Sequence, residues 1–446
     1  MRALTAVFAL TALGSAGAQT KADPALLAAI QQIRAIDNHA HPARLLAPGE
    51  SSDPDVDALI SGFSPDFGNY PPPLRLQPDC PDNFDGWHAL FGYPWRDIRP
   101  EHMKQLMRAK EKVRAAHGDD YPSWVLDQLG IETMLANRVA MGRGLKAPRF
   151  LWVSFVDALL FPLDNTTAKN KNPDEKWFFG DEERLLQRYL KEAGLQRPPA
   201  AFNDYLRNVV TATLERQREH GAVAIKFEAA YLRTLDFADA TEADARGVYE
   251  KYAGGGEPSP AEYKTLQDFL FRYMAREAGR LGMAVHFHVA GGGAGTYYDA
   301  PGGNPMLLTS AFNDPTLRHT NFVIVHGGEP WVRETRDLFQ KPNVYADFSA
   351  QTFLDFPREL SQTIRSWIEW YPDKVLFGTD TSPASPEFGW EEQGWITTRT
   401  ARQALALALT GMVDDGEVTR EKALVIAKMV LHDNAAKLYG LPALKP

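Results

Sequence analysis

From about residue 202 onwards the chain repeats one unit: a helix-length amphipathic stretch followed by a short, almost wholly apolar run. The runs are Ala222 to Glu228, Met283 to Val289, Asn321 to His326, Asn343 to Phe348 and Lys374 to Thr379. The helical stretches around them are Phe202 to His220, Pro260 to Gly282, Trp331 to Gln340, Pro357 to Trp370 and Thr397 to Thr410. Strands apolar on both faces belong to parallel sheets covered by helices, because a half-solvated strand would alternate instead. Ile131 to Ala136 and Leu151 to Leu160 read as earlier strands, and the stretch Ala35 to His41 as the first. That makes eight, the number that closes a (β/α)8 TIM barrel. An open doubly wound sheet is the alternative, but no Gly-x-Gly-x-x-Gly turn follows the first strand.

The 446 residues suffice for two or three domains, yet a barrel with insertions can use them as one. The expected organisation is a linker or short helix over 19–30 and a barrel over 31–446, with an insertion at about 44–120 after the first strand. Residues 44 to 100 are rich in Pro, Gly, Asp and Ser, as in Ser61-Gly62-Phe63-Ser64-Pro65 and Tyr70-Pro71-Pro72-Pro73. Phe84, Trp87, Phe91, Tyr93 and Trp95 make this segment too apolar for disorder, so it is expected to pack on its own aromatics. A helix is expected from Glu101 to Ala116, a polar loop from Asp164 to Lys176, and a further helix from Glu182 to Ala193. Arg420 to Tyr439 lacks Gly and Pro and reads as one or two extra helices packed on the outside of the barrel.

The first residues read as a targeting segment. Arg2 gives a positive start, Ala3 to Leu13 an apolar core too short to span a bilayer, and Ala16-Gly17-Ala18 a small-residue cleavage site. A signal peptide over 1–18 implies a periplasmic or secreted, soluble protein beginning at Gln19. A net charge of −9 without a basic tract argues against nucleic acid as a partner. Cys80 is the single cysteine, so metal chemistry here falls to His, Asp, Glu or Lys.

Chemistry-bearing residues gather at strand ends. On an extended Ala35-Ile36-Asp37-Asn38-His39-Ala40-His41, alternation puts Asp37, His39 and His41 on one face, with Ile36 and Asn38 on the other. Two imidazoles so placed can chelate one cation, although a short pair of histidines can also be ordinary. Lys226 and Glu228 point into the barrel with Val223, Ile225 and Phe227 against the helices, and His286 and His288 point in likewise. His326 stands where its strand stops, and Asp380 does the same after the last strand. Each has a plainer reading: Lys226 pairs with Glu228, one of His286 and His288 packs, His326 is a satisfied core histidine, Asp380 caps a helix. All of them falling at strand ends, where barrels build active sites, favours a common centre.

Asp37-Asn38-His39-Ala40-His41-Pro42, the strands ending at His288 and His326, and Val375-Leu376-Phe377-Gly378-Thr379-Asp380 resemble the amidohydrolase superfamily, in particular its amidohydrolase-2 branch. His432-Asp433-Asn434-Ala435-Ala436-Lys437-Leu438-Tyr439 resembles the final helix of that branch. Ala224 to Tyr231 and His326 to Glu334 are similar to the amidohydrolase-like domain of the nodulin/FluG type. The resemblance implies that His39 and His41 bind one metal with Asp380, and that Lys226 stands where many members carry a carbamylated lysine bridging two metals. His288 and His326 would hold the second. An uncarbamylated ammonium has no lone pair and cannot ligate. Mononuclear relatives use the first pair, the fifth-strand histidine and the aspartate, so one ion or two stays open, the inward Lys226 favouring two.

Zinc leads for a nitrogen and oxygen ligand set, with manganese or iron also fitting. The cation would activate a water and polarise a carbonyl, and Asp380 would pass the water's proton to the leaving group. The implied activity is metal-dependent hydrolysis of a carbon–nitrogen or ester-like bond in a small polar substrate. Non-oxidative decarboxylation on the same barrel is the family alternative, and a catalytically silent binding protein the alternative from another class. Tyr231 and Arg233, with Glu329, Trp331 and Arg333 after His326, are candidates for substrate binding or for ordinary loop packing. Gly291 to Gly295 reads as a tight loop past His288. Homo-oligomerisation is left open.

Overall fold

The computed structural model describes residues 21–58, 72–171, 175–289 and 298–441. The targeting segment, Ser61 to Pro65, Tyr70-Pro71, Gly291 to Gly295 and Pro442 lie outside the described residues.

Eight parallel strands run in chain order: β1 Ala35–Ala40, β2 Ile131–Arg138, β3 Phe150–Phe155, β4 Ala222–Phe227, β5 Ala284–His288, β6 Phe322–Val325, β7 Val344–Asp347 and β8 Val375–Leu376. The ring closes between the end of β8 and β1. Asn38 donates its N–H to the Phe377 carbonyl at 2.9 Å, Asp380 to His39 at 2.7 Å, and His41 to Thr381 at 2.7 Å. The result is a TIM-barrel α/β fold.

Local signals explain the elements. The helix Pro260–Arg280 starts with Ser259 capping Glu262, Glu262 reaching back to Ser259, and Pro260 in the first turn. The helix Trp390–Asp414 begins well before the expected Thr397. Its polar start, Glu391-Glu392-Gln393, looks like a loop in sequence but is buried, Glu392 pairing with Lys110 at 2.6 Å and Glu391 accepting from Tyr121 at 2.7 Å. The expected polar loop at Asp164 instead carries a short helix, Thr166–Lys171, started by Asp164 accepting the Thr166 N–H. The next helix begins at Glu175. The helices Pro81–Phe91, Tyr121–Leu129 and Glu242–Tyr252 had no counterpart in the sequence reading.

Buried residues separate into layers. Ile225, Val285, Phe287, Phe322 and Ile324 face the helices within one large cluster. Ile36, Leu135, Val153, Ala224, Ala284, Val323 and Leu376 fill the barrel itself. A satellite cluster of Phe84, Trp87, Leu90, Phe91, Tyr93 and Leu106 supports the inserted segment, while Trp95 lies nearer the surface, stacked on His102 at 3.9 Å.

Two expectations are corrected. The last helix, Asn434–Tyr439, does not sit on the outside: Ala435, Ala436, Leu438 and Tyr439 join the interior cluster and close the lower end of the barrel. In addition, β1 does not alternate simply. Ala35 and Ala40, five apart, both lie in the outer cluster, whereas strict alternation puts them on opposite faces. The β1–β2 register shifts between Asp37 and Ala40, and this bulge turns Ile36 and Asn38 inward while still delivering His39 and His41 to the upper end.

Candidate metal centre

The centre is assembled from the upper ends of β1, β5, β6 and β8. His39 Nε2 and His41 Nε2 lie 3.3 Å apart, and Asp380 Oδ1 lies 3.1 Å from the first and 3.2 Å from the second. His326 Nδ1 is 3.8 Å from Asp380 Oδ2, and its Nε2 is 3.0 Å from His288 Nδ1. His39, His326 and Asp380 offer ligand atoms that all lie within 4.8 Å of one another.

Strained backbone aims these groups. Only His326 (φ 64°), Ala350 (φ 58°) and Asp380 (φ 58°) adopt left-handed φ among the described non-glycine residues, and two of the three belong to the cluster. Such conformations cost roughly 1–3 kcal/mol each and persist where surrounding structure imposes them. Gly327 (φ 62°) continues the turn after His326. A Cβ there would approach the Trp367 ring to 2.2 Å, so the turn requires glycine twice over.

Supporting hydrogen bonds fix these side chains. Asp37 accepts from the Thr379 N–H and hydroxyl at 2.9 and 2.6 Å, tying β1 to the segment that carries Asp380. Asp347 accepts from the His326 N–H at 3.1 Å and the Ser349 hydroxyl at 2.5 Å, and Ser349 Oγ sits 2.9 Å from His326 Nδ1. Asp57, from the inserted segment, meets His41 Nδ1 at 2.8 Å. The Tyr231 ring stacks 4.0 Å from His288, with Tyr298 and Phe178 behind it.

The electrostatics leave the rings in two states. Burial, helped by the charge of Lys226, holds His39 well below the usual imidazole range. Burial, His326 and Lys226 do the same to His288, and burial with Lys226 takes His326 down to about 4. Burial also opposes a charge on His41, but Asp57 and Asp380 outweigh it and push that ring up to about 10. Burial would raise Asp380, yet His326, His39 and His41 keep its carboxyl well below the usual range.

This donor set fits a divalent cation. Two ligand atoms about 2.0–2.1 Å from one tetrahedral ion lie roughly 3.3 Å apart, and His39, His41 and Asp380 form a triangle with such edges. The buried ring nitrogen His288 Nε2 lacks a hydrogen-bond partner, which a buried polar atom rarely tolerates without a ligand or water.

The structure therefore brings His39, His41, His288, His326 and Asp380 together, with Lys226 behind them. Lys226 lies on β4 beside His286 of β5, and its Nζ is 3.6 Å from Glu228 Oε1. Tyr231 borders the cluster. Arg233 is directed elsewhere: it is buried against Asp268 at 2.7 Å and Gln267 at 3.0 Å, so its guanidinium is already satisfied. Glu329 is half-buried, its carboxyl raised by burial and by Asp355 and Glu359, while Arg333 is exposed. Asp57, Asp347 and Ser349 were missed by the sequence reading. Asp347 carried the same signal as the others, a polar residue ending an apolar strand; Asp57 carried none.

A parallel eight-stranded barrel with histidines and an aspartate at the strand ends defines a class of metal-dependent hydrolase fold. The chain belongs to the amidohydrolase-2 family, whose model, described as amidohydrolase, matches residues 154–441. It is 30% identical over 141 residues to protein fluG of Emericella nidulans, a stretch covering 31% of this chain and 15% of that protein. Among solved structures it shares its fold with a Lactobacillus casei protein assigned as a metal-dependent hydrolase, at TM-score 0.55 and 18% identity over 93% of this chain and 97% of that one. A glucuronate isomerase from Caulobacter crescentus superposes at TM-score 0.56 and 14% identity, over 94% of each chain. Among the described residues no helix is long and apolar enough to cross a membrane.

Proposed function

We propose that the protein is a metal-dependent hydrolase that cleaves a carbon–nitrogen or ester-like bond of a small polar substrate. The observation that carries this reading is the triangle of His39 Nε2, His41 Nε2 and Asp380 Oδ1, with edges of 3.1 to 3.3 Å. His39, His41, Asp380 and His326 would hold a divalent ion, zinc fitting the nitrogen and oxygen donors. Such an ion supplies Lewis acidity, drawing the pKa of a water towards neutrality and polarising a carbonyl.

The chain's own groups supply the rest. Asp380 Oδ1 faces His39 and His41, while Oδ2 lies 3.8 Å from His326 Nδ1, beyond hydrogen-bond reach, and would take the proton from an attacking water and return it to the departing nitrogen or oxygen. The carboxyl is partly accessible, as a proton carrier must be. Asp57 holds His41 by its far nitrogen, and Ser349 and Asp347 hold His326, so the rings keep one orientation through turnover. Tyr231, stacked on His288, forms a wall against which an apolar part of a substrate can rest.

The test is elemental analysis of the purified protein together with a screen of small amides and esters, with Asp380→Asn as control. Metal at the centre and hydrolysis lost in the variant support the reading. Release of carbon dioxide without hydrolysis replaces it with decarboxylation, and protein that takes up no metal removes it. We further infer export, supported by Arg2 and the apolar stretch from Ala3 to Leu13; a secreted form beginning at Gln19 is the expected N-terminal sequencing result.

A further inference from the structure

We propose that the cavity between the helices Pro24–Gln31, Tyr121–Leu129 and Trp390–Asp414 is a second binding site, which takes a small organic carboxylate with an apolar body. It lies at the lower end of the barrel, where Gly130 leads into β2, and does not depend on the metal centre.

The cavity has a volume of about 610 Å³, more than a single inorganic ion fills and ordinary for an organic ligand. One helix supplies most of its chemistry. Trp395, Thr398, Arg399 and Arg402 follow one another at helical spacing and share one face of Trp390–Asp414. Leu27 and Leu129, with the Trp395 ring, give the cavity an apolar side.

Arg402 is the group that the fold leaves without a counter-ion. Among the described residues four arginines are buried, and three of them meet a carboxylate: Arg75 with Asp82 at 3.2 Å, Arg138 with Asp53 at 2.9 Å and Arg272 with Asp314 at 2.8 Å. Arg402, 6% exposed, donates only to the carbonyls of Ile30 at 2.7 Å and Gly130 at 3.1 Å. Both carbonyls already accept a backbone N–H, from Ile33 and Ala35, so neither needs the guanidinium. A guanidinium has five N–H donors; two are used here and three remain. A buried charge without its opposite is costly, and this arginine is the one of the four that borders the cavity.

A second group on the same face is also unfinished. Thr397, Thr400 and Thr410 each donate their hydroxyl to the carbonyl four residues back, at 2.8, 2.8 and 2.7 Å. The Thr398 hydroxyl, in a residue 5% exposed, has no partner. One turn separates it from Arg402, so an O–H and a guanidinium stand together, the donors that a carboxylate accepts.

The surrounding charges select the sign of the ligand. Asp127 borders the cavity too, but its Oδ1 is held by Arg34 and Arg149, each at 2.9 Å. Arg399 lies across the Trp395 ring and pairs with Asp85 at 3.2 Å. With Arg402 these make four guanidiniums against two carboxylates, an excess of positive charge.

The experiment is calorimetric titration of the full chain with hexanoate, acetate and hexylamine, repeated on Thr398→Val and Arg402→Met, with a melting curve for each protein. Hexanoate is expected to bind at one equivalent. Acetate, the same head without the body, is expected to bind at least about tenfold more weakly, and hexylamine not at all. Thr398→Val, which keeps the shape and removes the hydroxyl, is expected to weaken hexanoate about tenfold at an unchanged melting temperature. Arg402→Met is expected to abolish binding; it also frees two helix ends, so Thr398→Val decides if that variant fails to fold. Chelator-treated protein is expected to bind hexanoate as tightly as untreated protein. Affinity that falls on chelation places the ligand at the metal centre and overturns the proposal. So do the absence of heat with hexanoate, an affinity indifferent to Thr398→Val, and acetate or hexylamine binding as well as hexanoate.

Discussion

The lower and upper ends of this barrel use the same eight strands and opposite chemistry. Below, Ile36, Leu135, Val153, Ala224, Ala284, Val323 and Leu376 meet Ala435 and Ala436 of the final helix in one apolar plug. Above, the ends of four of these strands, β1, β5, β6 and β8, present His39, His41, His288, His326 and Asp380, two of them on left-handed backbone and two with unpartnered ring nitrogens. Packed apolar layers contribute stability, whereas strained, desolvated polar groups oppose it. The fold thus keeps folding energy and reactivity on separate layers of each strand, which is why the upper end can hold costly groups at all.

Asp380→Asn is the sharpest way to test that separation. Removing the proposed proton carrier is expected to lower turnover by about 10³-fold, while thermal stability falls only slightly, by the carboxylate's pairing with His41, because a carboxylate held among imidazoles adds little to packing. Melting curves beside turnover measurements decide it. A melting temperature that falls steeply with activity would mean the upper end also holds the fold together.

Leu376→Ala makes the opposite prediction from the same strand. Leu376 is fully buried in the lower plug, and emptying such a site costs about 2–5 kcal/mol. Denaturant titration is expected to show that loss, with turnover per folded chain unchanged. Loss of metal from the folded variant would couple the two layers and break the comparison.

A thin polar layer joins them. The Tyr439 hydroxyl donates to Asn38 Oδ1 and lies 2.8 Å from His286 Nε2, while Asn38 donates to Asp347 Oδ2 at 2.7 Å. From Asp347 the chain of bonds continues through Ser349 to His326. Tyr439→Phe leaves Asn38 and His286 unsatisfied in a buried setting, at about 1–3 kcal/mol. If the layer only fills space, metal affinity will not move; a weaker affinity at unchanged fold would show that the final helix helps aim His326.

How much of this was legible in the sequence follows the same division. Strand position and number were readable because apolar runs between helical stretches leave few alternatives, and His39, His41, His288, His326 and Asp380 announced themselves as polar residues ending those runs. What a face packs against is not local information. The Asn434–Tyr439 helix reads equally well on the outside of the barrel or in its base. The β1 bulge leaves no mark in Ile36-Asp37-Asn38-His39, since any one-residue slip inverts the facing of every later side chain. Arg233 looked free because its partner, Asp268, lies a helix away. Asp57 looked like one more loop acid because its partner, His41, is supplied by the fold.

The smallest expected effect concerns the proton that stands where a cation would. In the metal-free chain His41, its ordinary value 6.5, is pushed up to about 10 because Asp57 at 2.8 Å and Asp380 at 3.2 Å outweigh its burial. A folded-state value raised in this way adds stability that is fully present below about 6.5 and disappears as pH rises through about 10. A cation has to displace that proton, so its affinity is expected to rise with pH, by about tenfold or 1.4 kcal/mol per unit around neutrality. Loaded and metal-free protein should accordingly diverge in stability as pH climbs, the loaded form gaining on the other. Calorimetric titration in buffers of different ionisation heat counts the protons released, with one per ion expected. Asp57→Asn removes the foremost group that raises the ring, so His41 should lose its proton at lower pH and the slope near neutrality should flatten. Affinity indifferent to pH in the unmutated protein would mean that His41 does not face the ion, and the upper end would then have to be built from His39, His326 and Asp380 alone.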